Sequence, residues 1–185
     1  DRELVSIQHV ELADSRFDAA ADPDFLRTFA YFADLLTAML PPHDPSETTY
    51  RMAKACLDVE AVGAESLAAV RLYFELWLLR LGGYLPDWTR CGVCRSSLDA
   101  RAAAFLNLDL HLTCELCRGQ RRMPAVSTLQ RETYQSAQSV SPAVFVEKTS
   151  GHSETVAEIS DVLRRIIATI LGHELMQERA LAVNS

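Results

Sequence analysis

The sequence predicts a mainly α-helical bundle interrupted by a small cysteine-bearing β-hairpin, with one short strand near its N-terminus. Three observations lead there. Apolar residues recur at helical spacing over most of the chain. Ser, Asp and Pro stand where helices should start. Two Cys-x-x-Cys pairs, 19 residues apart, flank a run of alternating leucines. The 185 residues are 49% apolar and 23% charged, which is ordinary for a globular protein and enough for a real core.

Taken in order, Glu3 to Leu12 (ELVSIQHVEL) is β-branched and partly alternating, with a phase change between Ile7 and Val10. It reads as a strand with a bulge, or as two short strands. Such a strand needs partners. The chain begins at Asp1 rather than Met, as expected of a processed chain or a piece of a longer one. Asp22-Pro23-Asp24 then caps a helix whose stripe is Phe25, Phe29, Phe32, Leu36, Met39 and Leu40, stopped by Pro41-Pro42. Asp44-Pro45-Ser46-Glu47 predicts a second start, with Asp44 as cap, Pro45 first in the helix and Glu47 closing a capping box. Tyr50, Ala53, Cys56 and Leu57 would share its buried face.

A third helix, from about Ala64 to Leu81, is apolar nearly all round, as a central buried helix is. Gly82-Gly83 ends it. Beyond the cysteines, Ser127 can cap a helix holding Leu129 and Tyr134, and Pro142 and Ser150-Gly151 punctuate a loop. The last helix starts at Ser153-Glu154, carries Val156, Ile159, Leu163, Ile166 and Ile170, and should reach Arg179. No run approaches the length of a membrane span.

Cys91-Gly-Val-Cys94 and Cys114-Glu-Leu-Cys117 match the two knuckles of a four-cysteine zinc ribbon, and Leu106, Leu108, Leu110 and Leu112 alternate with polar residues as a strand leading into the second knuckle. A rubredoxin-like iron centre would use the same ligands. Disulfides or a thioredoxin-type site would use the same motif, but the latter opens a helix beside a βαβ unit, and none is readable. Four thiolates leave no coordination position for a reacting water, so the expected Zn²⁺ is structural. His111, three residues before Cys114, is read as a hairpin-edge side chain. Cys56 is read as a small core residue. His173-Glu174 is read as ordinary helix surface.

The net charge is −7, unevenly placed: residues 1–85 carry 7 basic and 14 acidic side chains, whereas residues 86–125 carry 6 and 4. Strong nucleic-acid binding by so acidic a helical region is not expected. The densest basic cluster, Arg118, Arg121 and Arg122, follows the second knuckle and is the candidate contact for nucleic acid or an acidic peptide. No catalytic motif is present: no G-x-S-x-G, no H-E-x-x-H, no phosphate-binding glycine loop. Nothing in the sequence requires an enzyme.

The order ELVSIQHVEL, LYFELWLLRLGGYLPDWTRCGVC, a second Cys-x-x-Cys and VLRRIIATILGHELMQERAL resembles RecO, the bacterial recombination-mediator family, over nearly all the chain. The specific part is LRLGGYLPDW with the two knuckles. The resemblance implies an OB-fold barrel upstream, of which residues 1–20 would be the last strand and linker. A helical domain would then span 21–85 and 126–185, with a zinc ribbon inserted at 86–125. Family members often have Gly-Gly before the second knuckle, where this chain has His111-Leu112-Thr113.

The resemblance also implies a non-enzymatic, cytoplasmic, nucleoid-associated repair mediator. It would act with RecR and with the C-terminal tail of the single-stranded DNA-binding protein (SSB), promoting recombinase loading and strand annealing. Single-stranded DNA would be held mainly by the barrel. An acidic-apolar tail fits an apolar helical groove with a basic rim, for which Arg71, Arg80, Arg164 and Arg165 are candidates. A stand-alone zinc-ribbon adaptor, for example transcription-associated, is the alternative.

Overall fold

The structure is a computed structural model that describes residues 9, 11, 15, 19–41, 45–61, 63–99 and 102–183, with backbone alone from 173 onward. Apart from residues 9, 11 and 15, the expected N-terminal strand and the linker up to residue 18 lie outside the described residues, as do Asp44 and the side chains of His173 and Glu174.

The chain is mainly helical, with one small antiparallel sheet. Among the described residues seven α-helices are formed: α1 (Pro23–Met39), α2 (Glu47–Leu57), α3 (Gly63–Leu81), the short α4 (Glu115–Arg118), α5 (Thr128–Ser136), α6 (Pro142–Thr149) and α7 (Ser153–Val183). Three strands, β1 (Ala104–Leu106), β2 (Leu112–Cys114) and β3 (Ala125–Val126), lie in the order β2-β1-β3. None of the described helices is long and apolar enough to cross a membrane.

Helix α3 is the axis of the bundle, because it has no polar face to turn outward. Val70, Leu72, Phe74, Leu76 and Leu79 are fully buried, and α1, α2, α6 and α7 all pack on it. Phe74 stacks on Phe32 of α1 with centroids 3.8 Å apart and planes at 4°. Gly83, at φ +75°, closes α3 in a Schellman turn, with the Tyr84 amide donating to Leu79 O and the Gly83 amide to Arg80 O. Three side chains on the outgoing half of α3 then satisfy carbonyls beyond α5. Tyr73 Oη donates to Val140 O, Trp77 Nε1 to Ala137 O and Arg80 Nη1 to Gln138 O.

The structure revises three sequence expectations about helices. Helix α2 starts at Glu47, with Ser46 as its cap: the Ser46 hydroxyl accepts from the Thr49 amide. Its buried face is therefore Thr49, Met52 and Cys56, and Tyr50 points outward at 67% exposure. Pro142 does not mark a loop but the first position of α6. Its fixed φ suits that place, and Ser141 caps it by accepting from the Val144 amide. Helix α7 continues beyond Arg179 to Val183.

One carboxyl lies inside this core. Glu75 is fully buried, and Tyr31 Oη donates to its Oε1 at 2.8 Å while Oε2 has no partner. Burial raises the Glu75 carboxyl to about 7, against the opposing pull of the Tyr31 hydroxyl, Arg164 and Arg71. A carboxyl raised on folding stabilises the fold fully below its ordinary value of 4.5, and that contribution is lost as pH rises through about 7. The difference in urea stability between the parent chain and Glu75→Gln is therefore expected to shift in favour of the variant as pH rises from about 5 to about 8. A difference flat across that range would contradict the burial of this carboxyl. Phe74→Ala, which empties the centre of the stack, is expected to cost about 3–5 kcal/mol in the same assay.

Candidate metal centre

The segment between α3 and α5 folds into two knuckles on a minimal sheet. The first is a tight turn, Cys91 to Cys94, closed by the Cys91 amide donating to Ser96 O and the Arg95 amide donating to Cys91 O. Arg95 takes a positive φ of 62° to complete it. The second sits where β2 runs into α4: Cys114 is the N-cap of that helix, and its sulfur accepts from the Cys117 amide. The Gly92 amide donates to Leu112 O at 2.7 Å and so joins the knuckles. A Cβ at Gly92 would meet the His111 Cβ at 3.0 Å, so glycine permits this approach.

These turns bring all four sulfurs within 4.8 Å of one another, with Cys94 Sγ and Cys114 Sγ 3.8 Å apart. A tetrahedron of sulfurs about 2.3 Å from a central zinc has edges of about 3.8 Å, the Cys94–Cys114 separation, so the quartet is close to the spacing that a metal ion needs. Burial works to raise the Cys91 thiol, but the amides of Cys114, Cys94 and Val93 outweigh it and bring Cys91 down to about 6. The Ser96 hydroxyl and amide lower Cys94. Cys117 is pushed up to about 12 by the Cys114 and Cys94 sulfurs beside it. Polar groups thus favour the first thiolates, and their mutual repulsion resists the last. A cation at the centre relieves that repulsion.

The expected run of strand from Leu106 to Leu112 is instead a fold-back. β1 ends at Leu106, pairs with Leu112 of β2, and the residues between form the turn. Asn107 makes the turn: its amide donates to His111 O and its side-chain oxygen accepts from the His111 amide. Leu110 adopts φ 62°. Leu108, at the tip, is 99% exposed. His111 is exposed and stands outside the sulfur cluster. Cys56 is fully buried in α2, with its thiol pushed up to about 12 by burial.

The three expected basic residues have different fates. Arg118 lies over the Phe105 ring at 4.0 Å with its Nε buried, so it packs the second knuckle against β1. Arg121 Nη2 donates to Cys117 O at 2.7 Å. Arg122 is exposed and unpaired among the described residues. The helical arginines divide as well. Arg71 and Arg164 line one cleft of about 250 Å³ between α1, α3 and α7, with Leu67, Val156 and Ser160. Arg80 lies over Trp77 at 4.6 Å and is spent on Gln138 O. Arg165 lines a separate groove against the ribbon, shared with Arg121 and Arg122.

Sequence reasoning passed over the clasp between ribbon and bundle. Arg131 of α5 is 2% exposed and donates to Asp99 O and Ala102 O. Tyr134 of α5 stacks on Trp88 at 4.2 Å and donates to Pro86 O. An arginine on a capped helix looks like surface in a sequence. The Trp88 beside the first knuckle was the available signal.

Comparison with known proteins follows the same outline. The family model described as "Recombination protein O C terminal" matches residues 22–179. The DNA repair protein RecO of Pelobacter propionicus (strain DSM 2379 / NBRC 103807 / OttBd1) is 35% identical over 150 residues, covering 78% of this chain and 56% of its own. That of Koribacter versatilis (strain Ellin345) is 31% identical over 101 residues, covering 55% and 41%. That of Desulforamulus reducens (strain ATCC BAA-1160 / DSM 100696 / MI-1) is 27% identical over 116 residues, covering 63% and 44%. The chain spans about half the length of the curated relatives it matches. No solved structure matches it.

The core cluster runs from the helices into the ribbon through Trp88, Leu98, Ala104, Leu112 and Val126, but most of it lies on α1, α2, α3, α6 and α7. Cys114→Ser is therefore expected to abolish metal binding and increase amide exchange across residues 86–125, with most of the far-ultraviolet helical signal kept. Loss of helix in step with metal would contradict that placement of the core. Acid should release metal as well, since protonated thiols do not ligate; metal retained at about pH 4 would argue against a thiolate site.

Proposed function

The chain belongs to the RecO family through its C-terminal region, and on that premise we propose that it is the helical and metal-ribbon part of a non-enzymatic DNA recombination and repair mediator. The match over residues 22–179 carries this reading. The metal is taken to be Zn²⁺, the d¹⁰ ion that accepts four thiolates in a closed tetrahedron without redox chemistry. Cys91, Cys94, Cys114 and Cys117 hold it, and its role is to fix the ribbon.

Single-stranded DNA is then engaged mainly by an OB-fold barrel ahead of residue 20, and the helical part serves as the docking platform for RecR and for the SSB tail. Physics favours this division. The bundle is acidic, which opposes strong phosphate binding. The cleft lined by Arg71 and Arg164 joins an apolar wall to two cations, which suits a short tail ending in apolar and acidic residues. Arg71 stands at 5.2 Å over the Tyr31 ring, donates weakly to Thr28 Oγ1 at 3.4 Å, and keeps a buried Nε unpaired. With one weak donation from Nη2 and its place in the cleft lining, the guanidinium has donors to spare for a carboxylate there.

The test is a pair of titrations at two salt concentrations, one with labelled SSB tail peptide and one with labelled oligothymidylate. Peptide binding is expected to persist at higher salt and to weaken by roughly tenfold in Arg71→Glu, equal to about 1.4 kcal/mol. DNA binding is expected to be weak and to fall steeply with salt. Tight DNA binding with no peptide binding would overturn the division of labour.

A further inference from the structure

Between the hairpin turn, the segment after α4 and the middle of α7 lies a groove of about 780 Å³, within the range that holds drug-sized ligands. It is distinct from the Arg71–Arg164 cleft and shares no residue with it. Leu106 and Thr113 contribute to its floor and Leu108, Leu110 and Met123 to its walls. Leu108 is 99% exposed and Val93, also in the lining, 60% exposed. Two apolar side chains presented this fully beside one groove, Leu108 from the hairpin turn and Val93 from the first knuckle, mark a surface suited to contact.

The charges around it are one-sided. Arg121, Arg122 and Arg165 line the groove, against the single carboxylate of Asp109. The guanidinium groups of Arg122 and Arg165 are exposed and have no partner among the described residues, so two free cations border the apolar strip. Thr113 is 1% exposed, and its Oγ1 is buried without a hydrogen-bond partner. That leaves an unused donor in the floor, which costs free energy until a carbonyl or carboxylate reaches it.

We propose that this groove docks a protein segment in which aliphatic side chains alternate with carboxylates. The aliphatic groups cover Leu108, Leu110 and Met123, the carboxylates meet Arg122 and Arg165, and a backbone carbonyl or carboxylate accepts from Thr113. Single-stranded nucleic acid fits less well. Grooves that bind it offer aromatic rings on which bases stack, and none of the lining residues is aromatic. This surface goes beyond the tail site proposed above and would stand if that site failed.

A phage-displayed random dodecapeptide library, panned on the full metal-loaded chain, provides the probe. Clones that bind the parent chain are counter-screened on Arg122→Glu/Arg165→Glu and on Leu108→Asp, all three positions being exposed. Metal content and helical signal verify that both variants fold. The expected clones combine Leu, Ile or Met with Asp or Glu, lose at least roughly tenfold in affinity on both variants, and bind Arg71→Glu unchanged. Basic or uncharged clones, clones insensitive to both variants, or clones lost on Arg71→Glu would overturn the proposal. So would oligothymidylate binding abolished by the same two variants in the absence of any such clone.

Discussion

Four sulfurs forced into a space less than 5 Å across would, as thiolates, concentrate more like charge than any other point of the described chain. Without a cation, protons must stay on some of the sulfurs at neutral pH, Cys117 first among them; a cation lets all four ionise. The amides of Cys114, Cys94 and Val93 suffice for Cys91, and Ser96 helps Cys94, but Cys117 remains strongly opposed to ionising. The ribbon's sheet is too small to substitute, since its longest strands have three residues each. Geometry and charge therefore both make the four sulfurs a site able to hold a metal ion, and an ion there would add to the core packing that positions the knuckles, the Asn107 turn and the groove beside α7.

The bundle is organised by a different rule. Between Ala69 and Leu79 helix α3 exposes no residue, so it must be wrapped, and α1, α2, α6 and α7 wrap it. Helix α5 joins the two systems. Its capping box, formed by Ser127 and Gln130, fixes where it starts. From there Arg131 and Tyr134 reach into the ribbon's base, and the carbonyls beyond its end accept from α3. A ribbon loosened by metal loss would thus remain tethered at its base by Trp88 and Tyr134 while its knuckles came apart.

Much of this was legible because capping chemistry is local. Asp22 and Ser127 each announce a helix by a side chain that accepts from an amide two or three residues on, and the Cys-x-x-Cys spacing announces the sulfur cluster in the same local way. Errors arose where a local signal had two meanings. Pro142 both breaks a helix and starts one, and Ser141 before it was the deciding residue. The alternating leucines 106–112 read as one strand, whereas Asn107 folds the chain back and leaves Leu108 in water. The arginines were the least legible. Whether a guanidinium stacks on Phe105, clasps Asp99 or stands free at a groove depends on elements distant in sequence. Glu75 did leave a trace, as the lone acid in the apolar run LYFELWLL, but its Tyr31 partner could not be read from spacing.

Ribbon and bundle together form a body with two basic-rimmed apolar surfaces on opposite kinds of wall, one between helices and one between helix and hairpin. The second is built partly from the ribbon, so the four-sulfur site lies in the same module as part of that surface. The most direct measurement is X-ray absorption at the zinc edge of the purified chain. Four sulfur scatterers at about 2.3 Å are predicted. A chain without zinc, or a first shell containing nitrogen or oxygen, would contradict the four-thiolate centre.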